Sequence, residues 1–526
     1  MKYLLVNTLS SSNNKRIAKN TLVLYFRMLL IMGVSLYSVR IVLNSLGPSD
    51  YGIYSVVGGI IVMFSFLSST MAAASQRFFS FALGRGDFDQ LKKLFSLTMT
   101  IYVIIGIIIV VLAETIGLWF LNSKMNIPAG RIHAANWVYQ FAILSFMMTM
   151  FTIPYNALII AHEQMEAFAY ISIIEAVLKL LIVLLLDFFH FDKLKLYALL
   201  VFCVTTIVTL LNRTYCRKRF SESKLSFYWD SGMFKEVIGY SGWNLMGTIA
   251  VLIRDQGTNI LLNLFFGTLI NAARGIAFQV NSVISQFSNN FLVSVNPQIV
   301  KYYAGGKREE MFSLVFRSSK FAFFLLFTLS LPVLLETKFI LSVWLKSLPD
   351  QVVLFTRLII INALIDSVSI PLITSALATG KIRRYQIIVG GIMLLNLPIS
   401  LLLLKLGFPA YITICVAIFI SVINLFSRLW MLKEMIQFPV IEYLKKVIIR
   451  ILIIAFFAYF IIWTLQVRLP AGFGKLVIIT IADILIITIL VYFLGMSKIE
   501  RHKVKQMVAG KLTQARLSKK NNKHNR

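Results

Sequence analysis

Apolar runs of about 20 residues or more recur along the whole of this 526-residue chain. A helix of that length crosses the roughly 30 Å hydrocarbon core of a bilayer and satisfies its own backbone hydrogen bonds. The runs lack the ten-residue alternation that is typical of membrane β-strands. Hydrophobic residues make up 58% of the chain, more than a soluble core of this length can bury. The sequence therefore predicts an all-α polytopic membrane protein.

About fourteen spans are predicted, each long enough to cross the membrane once. Their approximate bounds are 21–46, 51–74, 93–121, 134–160, 168–189, 194–212, 236–264, 270–296, 315–341, 352–378, 384–404, 408–430, 447–466 and 475–495.

The basic residues fall mainly on one set of connections between the spans. With the N-terminus inside, about 37 of the 52 lysines and arginines lie on the cytoplasmic side, as the positive-inside rule requires. We therefore expect both the N-terminus and the C-terminus in the cytoplasm. The same distribution accounts for the net charge of +30, because basic residues on the cytoplasmic side are attracted to anionic membrane lipids. It does not point to a nucleic-acid partner.

The chain repeats itself at an offset of about 220 residues, which is typical of transporters built from two similar halves. The Gly-rich loop "ALGRGDFDQLKKLF" has a counterpart in "YAGGKREEMFSLVF", and "TIPYNALIIAHEQM" has one in "SIPLITSALATGKI". The matched single positions are Gly47 with Gly267, Glu114 with Glu336, and Pro154 with Pro371.

Each repeat holds six spans, so the two halves should have the same orientation and be related by a pseudo-two-fold axis along the membrane normal. Spans 13 and 14 fall outside the repeat as an appended pair. The predicted segments are a cytoplasmic N-terminal segment 1–20, a first six-helix lobe 21–212, an inter-lobe loop 213–235, a second lobe 236–430, the appended helices 431–496 and a basic cytoplasmic tail 497–526.

Two long stretches carry a resemblance to a known family: "LGPSDYGIYSVVGGIIVMFSFLSSTMAAASQRFFSFALGRGD" and "IPYNALIIAHEQMEAFAYISIIEAVLKLLI". Together with the twofold six-span repeat plus two, the chain resembles the bacterial polysaccharide and O-antigen flippases (Wzx-like). These belong to the multidrug/oligosaccharidyl-lipid/polysaccharide exporter superfamily. The resemblance implies a protein of the bacterial cytoplasmic membrane that flips undecaprenyl-diphosphate-linked oligosaccharide to the periplasmic leaflet by alternating access.

A diphosphate crossing the membrane needs cations along its path, and arginine pairs best with phosphate oxygens. Arg254 lies near the middle of span 7 and is the first candidate, with a structural ion pair as the alternative. Lys179 lies in mid-span, four residues after Glu175, a spacing that also allows an intrahelical ion pair. Arg27 and Arg40 lie within two turns of a span end, where they bind substrate or reach the headgroups.

Two further arginines occupy the ends of spans. Arg77, at the cytoplasmic end of span 2, and Arg274, at the outer start of span 8, could mark the entrance and exit of a diphosphate path. The alternative for both is an interfacial anchor.

Acidic residues inside the spans are candidates for binding a coupling proton or sodium ion, or for balancing a nearby arginine. Asp255 and Asp366 lie near mid-membrane, and Glu175 belongs to the same set of candidates. Asp255 follows Arg254 directly, and adjacent helical residues point about 100° apart, so the two need not neutralise each other. Glu114, Glu336 and Asp483 lie nearer span ends or on the appended pair and rank lower.

Pro154 and Pro371, at matched repeat positions, should kink spans 4 and 10 and act as hinges.

The sequence gives little support for an enzyme function. The chain has no phosphate-binding GxxxxGK[ST] motif and no HExxH motif, and its three cysteines and five histidines have no metal-ligand spacing. We expect no catalytic residue, metal or cofactor. The alternatives are a multidrug or cation exporter of the same superfamily and a membrane-embedded polysaccharide polymerase. The expected partners are the lipid-linked oligosaccharide, membrane lipids and a polymerase of the same pathway.

Overall fold

The structure is a computed structural model, and its described part is helical with no strand. The described residues are 2–62, 65–123, 127–186, 191–224, 226, 228–345, 348–496 and 500–501. The α-helices in chain order are α1 (Lys2–Val62), α2 (Ser65–Arg85), α3 (Phe88–Leu112), α4 (Leu118–Ser123), α5 (Ile132–Ala161), α6 (Met165–Leu185), α7 (Lys193–Arg219), α8 (Ser231–Phe266), α9 (Thr268–Ala304), α10 (Arg308–Leu335), α11 (Thr337–Trp344), α12 (Val352–Ala378), α13 (Arg383–Leu394), α14 (Asn396–Lys405), α15 (Ile412–Ile436), α16 (Val440–Tyr443), α17 (Ile449–Arg468) and α18 (Phe473–Leu490).

Eleven helical segments of the described residues are long and apolar enough to cross a bilayer. Three further predicted spans, 51–74, 236–264 and 270–296, fall on the end of α1 with α2, on α8 and on α9, which carry more polar residues. The prediction of a polytopic all-α membrane protein is confirmed.

The backbone repeats at the offsets that the sequence indicates. Gly47 interrupts α1 with a φ of 78°, and Gly267 separates α8 from α9 with a φ of 77°. Such left-handed backbone suits glycine because other residues meet a steric penalty there. Helix irregularities also coincide at the matched glutamates: Glu114 lies in a π-helical turn and Glu336 separates α10 from α11. Two more left-handed pairs lie at similar offsets, Gly86 with Gly306 and Glu163 with Gly380.

The helices group into two compact units. The first unit contains the described residues of Met1–Gly257, Asn289–Phe312 and Ile373–Leu395. The second contains those of Thr258–Ser288, Ser313–Leu372 and Asn396–Arg526. The first unit therefore includes most of α8, the end of α9, the start of α10, the end of α12 and all of α13, although the sequence assigns these to the second repeat.

Each unit has its own apolar interior. In the first unit, Phe79, Phe95 and Tyr102 are fully buried among α2, α3 and α5. In the second, Leu262 and Phe355 are fully buried. Many large apolar side chains elsewhere are exposed, as lipid-facing helices require, because hydrocarbon replaces water around them.

Ion pairs within the first unit join connections that the sequence predicts to lie on one side of the membrane. Lys301 donates to Glu163 at 2.6 Å, and both belong to connections predicted to be cytoplasmic. Arg131 contacts Asp192 at 2.7 Å and also Asp50, and all three belong to connections predicted to be periplasmic. These contacts agree with the predicted alternation of the spans, while the orientation relative to the cytoplasm stays a prediction.

Candidate functional site

A cavity of about 620 Å³ lies within the first unit, at the end predicted to be cytoplasmic. It is formed by α2, by the first turns of α8 and by the connection from α12 to α13. The residues that line it are Arg77, Phe78, Lys235, Glu236, Gly239, Tyr240, Trp243, Gly380, Lys381, Ile382, Arg383, Arg384 and Ile387.

The lining of this cavity is strongly basic and aromatic. Five of the described lining residues are lysine or arginine and one is acidic, so the cavity attracts anions. Three aromatic rings, those of Phe78, Tyr240 and Trp243, lie among the cations. We call this set of residues the basic cavity.

Arg77 is the most buried cation of the basic cavity, with 7% of its surface exposed. Its guanidinium carbon lies 4.6 Å from the ring centre of Phe78, 4.8 Å from that of Phe81 and 5.2 Å from that of Tyr240. Aromatic faces attract cations electrostatically and fix the plane of the guanidinium. The position of Arg77 is therefore set by three rings.

The hydrogen bonds of Arg77 leave part of the guanidinium free. One terminal nitrogen (Nη2) donates to the carbonyl oxygen of Ala378 at 3.0 Å. The Nε group has no hydrogen-bond partner among the described residues. A buried guanidinium with an unused N–H donor can bind an anion through that donor. Folding has already removed the group from water, so binding adds little further desolvation cost for the guanidinium.

Gly380 makes room for Arg77. Its φ is +78°, and a Cβ at this position would lie 2.5 Å from Nη2 of Arg77. Any side chain here would both strain the backbone and displace the guanidinium. The glycine of "GKIRRY" thus has a positional role in the basic cavity.

Contacts of α8 with neighbouring elements fix the rings of Tyr240 and Trp243. The Tyr240 hydroxyl is 3.5 Å from the carbonyl of Leu377, and the Arg383 guanidinium stacks on Trp243 at 5.1 Å. One turn further, Asn244 donates to the carbonyl of Thr70 at 3.4 Å. These contacts connect α8 to α2 and to the loop that carries Gly380.

Arg254 and Asp255, both predicted as site residues, form an ion pair at 2.9 Å on their own helix. Of the two roles predicted for Asp255, ion coupling and charge balance, this contact favours charge balance. The Arg254 side chain extends along α8 far enough for its Nε to donate to the adjacent carboxylate. Part of its charge is therefore balanced locally.

Arg27, Glu175 and Lys179 come together between α1 and α6. The predicted i,i+4 ion pair is confirmed, with Lys179 donating to Glu175 at 2.6 Å. Arg27 stacks on Phe168 at 4.6 Å and lies within electrostatic reach of Glu175. The three charged groups form one cluster in the first unit, separate from the lining of the basic cavity.

Arg274 and Asp366 lie in the second unit. Arg274 is buried, donates to the side-chain oxygen of Asn259 and stacks on Phe278 at 4.4 Å. Asp366 accepts a hydrogen bond from Asn362 at 3.1 Å. In the structure, each residue is engaged by side chains of its own unit.

Three predicted residues remain, Arg40, Pro154 and Pro371. Arg40 lies within α1, and its side chain is outside the described part of the chain. Pro154 and Pro371 are buried inside α5 and α12, and each helix continues past its proline.

Sequence reasoning selected Arg77 but missed its surroundings. Tyr240 and Trp243 look like ordinary span residues, and Gly380 looks like a loop glycine. A signal existed in "GKIRRY", where three basic residues and a glycine follow the repeat position of Pro371. Only the fold shows that this loop meets α2 and α8.

Comparison with known proteins gives one weak sequence relative. No family model matches the chain. The uncharacterized membrane protein EpsK of Bacillus subtilis is 20% identical over 286 residues. That match covers 53% of this chain and 56% of the relative, so it spans about half the length of each.

Solved structures match over much more of the chain. A MATE transporter in the bent conformation has a TM-score of 0.70 at 9% identity, with 82% of this chain and 98% of that chain covered. The chain has the fold of MATE transporters. The MATE transporter ClbM in complex with Rb⁺ gives 0.67 at 14% identity, with 79% and 94% covered.

A third match is a MOP-superfamily transporter from Pyrococcus furiosus, for which a reverse polarity of the binding pocket is described as suggesting a different function. Its TM-score is 0.65 at 12% identity, with 80% of this chain and 96% of that chain covered. At these identities the matches show the fold alone.

Proposed function

We propose that this protein is a transporter of the bacterial cytoplasmic membrane that flips undecaprenyl-diphosphate-linked oligosaccharide from the cytoplasmic to the periplasmic leaflet. The basic cavity around Arg77 carries the proposal. It combines a buried guanidinium that has an unused donor with four further cations and three aromatic rings. The MATE fold supports a transport function of the alternating-access kind.

The cations suit the diphosphate. Guanidinium groups present parallel N–H donors that match pairs of phosphate oxygens. Arg77 provides such a group as the most buried cation of the cavity, and Lys235, Lys381 and Arg384 add further charge to the lining. The cavity is predicted to lie on the cytoplasmic side of the membrane, and this is the side on which the transporter would have to bind a lipid-linked glycan.

The aromatic residues suit the sugar. The faces of tyrosine and tryptophan are apolar, while their edges carry hydrogen-bonding groups. Trp243, which is half-buried, therefore offers a face against which a sugar ring next to the diphosphate can pack, and the buried Tyr240 lines the cavity beside it. Their rings lie on the same helix as Lys235 and Glu236, so one element presents both kinds of contact.

The multidrug exporter is the second candidate, because the matched solved structures are mostly MATE transporters. An organic cation would be repelled by a cavity with five cations and one acid among its described lining residues. The sign of the charge therefore favours an anionic substrate. The Pyrococcus furiosus transporter shows that pocket polarity has also been found reversed in another protein of this fold.

The test is transport by the purified protein in liposomes, with a fluorescent undecaprenyl-diphosphate oligosaccharide as substrate. Arg77→Ala should reduce apparent substrate affinity about 10-fold to 100-fold, the loss expected for charge-assisted hydrogen bonds. Arg77→Lys should restore it only partly, because an ammonium group lacks the planar fork.

Arg85→Ala is the matched control. Arg85 lies on the same helix and stacks on the same Phe81 ring at 4.6 Å, but it is exposed and does not line the basic cavity. This variant should transport at nearly the rate of the unaltered protein. Equal transport by Arg77→Ala, or transport of organic cations but not of the lipid-linked glycan, would contradict the proposal.

A further inference from the structure

An isolated carboxyl group lies in the middle of α18. Asp483 is fully buried, with 0% of its surface exposed. Neither carboxyl oxygen has a hydrogen-bond partner among the described residues. Most buried acids in membrane proteins are paired with a base or hydrogen-bonded to a neighbour, so this arrangement needs an explanation.

The surroundings of Asp483 are apolar. One turn on either side of it, Ile479 and Ile487 are buried on the same face of α18. The neighbouring helix α17 buries an apolar stripe, spaced three and four residues apart, against this part of the protein. That stripe consists of Ile451, Ile454, Ala458 and Ile462.

Two contacts fix α18 along α10. Near the start of α18, Lys475 pairs with Glu336 at 2.8 Å, and beyond its end Lys320 donates to the carbonyl of Gly495 at 2.9 Å. Asp483 lies between these two anchors. We call the parts of α10, α17 and α18 that lie between these anchors the helix seam.

No other acid or base faces the helix seam from the three helices. Residues 321–335 of α10, 451–467 of α17 and 476–490 of α18 contain no Lys, Arg, His, Cys or Glu, and Asp483 is their one aspartate. Tyr459 is their one tyrosine, and it is 48% exposed. The charged groups at the ends of these segments are Lys320, Glu336, Arg450, Arg468, Lys475 and Glu500.

Burying an unpaired carboxylate in an apolar interior is far more costly than burying the neutral acid. The geometry points to Asp483 as a proton-binding site of the appended helix pair, whose proton is released only when the helix seam opens to water. A proton is the ligand because calcium takes six to eight oxygen ligands, whereas the other buried side chains of α17 and α18 are apolar. No group of three metal-ligating side chains lies together anywhere in the described residues.

A structural role does not explain the residue. A neutral side chain of similar size would fill the same space without any penalty for losing a proton. Asp483→Asn and Asp483→Leu should therefore fold at least as well as the unaltered protein at neutral pH. A buried acid that costs stability relative to a neutral side chain is expected where a group must change its charge.

Infrared difference spectroscopy of the full chain in lipid tests the protonation directly. The spectrum of the unaltered protein minus that of Asp483→Asn at neutral pH should contain a carboxylic-acid C=O band and no carboxylate band. Asp483→Leu should give the same difference if Asp483→Asn fails to fold. A carboxylate band from Asp483 at neutral pH would overturn the proposal.

Glu336→Gln is the matched control. Glu336 belongs to the same unit and its side chain is only 12% exposed, but it is paired with Lys475. Its removal should take away a carboxylate band and no carboxylic-acid band. Identical difference spectra for Asp483→Asn and Glu336→Gln would also overturn the assignment, because burial alone would then decide the protonation state.

A second measurement links the site to transport and rests on the proposed function. Flipping of the fluorescent lipid-linked oligosaccharide should depend on pH in the unaltered protein, and Asp483→Asn should flatten that dependence. An unchanged pH profile in Asp483→Asn would overturn the link. Absence of flipping at every pH in every variant would instead refute the proposed function and leave the infrared result standing.

Discussion

Glu163 and Lys301 form a 2.6 Å ion pair across 138 residues of sequence. The Glu163 side chain is fully buried, and Arg16 contacts its second oxygen at 2.8 Å. The backbone of Glu163 is left-handed, with a φ of 60°. One carboxylate therefore joins the start of α1, the connection between α5 and α6, and the end of α9.

Replacement of Glu163 by glutamine should destabilise the first unit. It removes the counter-charge that Glu163 gives Lys301, whose side chain is 17% exposed. Removing one partner of a buried ion pair costs about 3 kcal/mol or more. Thermal unfolding in detergent should show this loss as a clearly lower midpoint.

Glu166→Gln is the control for this prediction. Glu166 lies three residues further on and pairs with Lys19 at 2.5 Å, but both side chains are largely exposed. Its removal should change the midpoint little, because exposed ion pairs are weak. Equal midpoints for the two variants would mean that Glu163 does not hold these segments together.

Replacement of Gly380 by alanine should impair Arg77 without removing it. The new Cβ would lie 2.5 Å from Nη2 of Arg77, and the left-handed backbone adds about 1–2 kcal/mol of strain. We expect a loss of substrate affinity close to that of Arg77→Ala in the liposome assay. Gly86→Ala separates the two effects, since Gly86 has a φ of +73° but nothing within 4 Å of the added Cβ. Normal affinity in Gly380→Ala would show that the Gly380 loop does not position Arg77.

The local regularities of this fold were predictable from the sequence. Apolar run length gives the helices, and the repeat predicts matching positions such as Gly47 and Gly267, which share left-handed backbone. The i,i+4 pair of Glu175 and Lys179 follows from helix geometry alone. Each of these depends on residues that are close in the chain or on a periodic pattern.

The site required contacts that no local pattern contains. Arg77 meets the carbonyl of Ala378, which is 301 residues away. Burial of Glu163 likewise depends on the end of α9. The pairing of Arg254 with Asp255 was left open by the sequence, because a long and flexible side chain can reach the adjacent carboxylate despite the angle between their Cβ directions.

The pairing of Arg254 with Asp255 predicts a non-additive effect on stability. Arg254→Gln alone leaves a carboxylate that is one-third exposed without its nearest base. The double replacement Arg254→Gln with Asp255→Asn removes both charges and should recover about 1 kcal/mol relative to the single variant. Thermal midpoints of the two single variants and the double variant form the cycle. Strict additivity would mean that the two side chains do not interact.

The contact between His162 and Glu222 predicts a loss of stability in acid. The two side chains lie 2.5 Å apart, and the His162 ring stacks on Phe220 with centres 4.1 Å apart. Burial by itself would raise the pKa of Glu222, but hydrogen bonds from His162, a backbone amide and Ser221 outweigh it and lower that pKa below the ordinary 4.5. A carboxylate with a lowered pKa stabilises the folded state at pH values above its ordinary pKa, and this contribution is lost as the pH falls through the pKa of the folded state.

Glu222→Gln should therefore unfold at a lower temperature than the unaltered protein at about pH 7, and the gap between the two unfolding midpoints should narrow below about pH 4.5. Glu442→Gln, which removes an exposed partner of Lys446, should show little gap at either pH. A gap for Glu222→Gln that stays constant into acid would mean that its charge does not contribute to the stability of the fold.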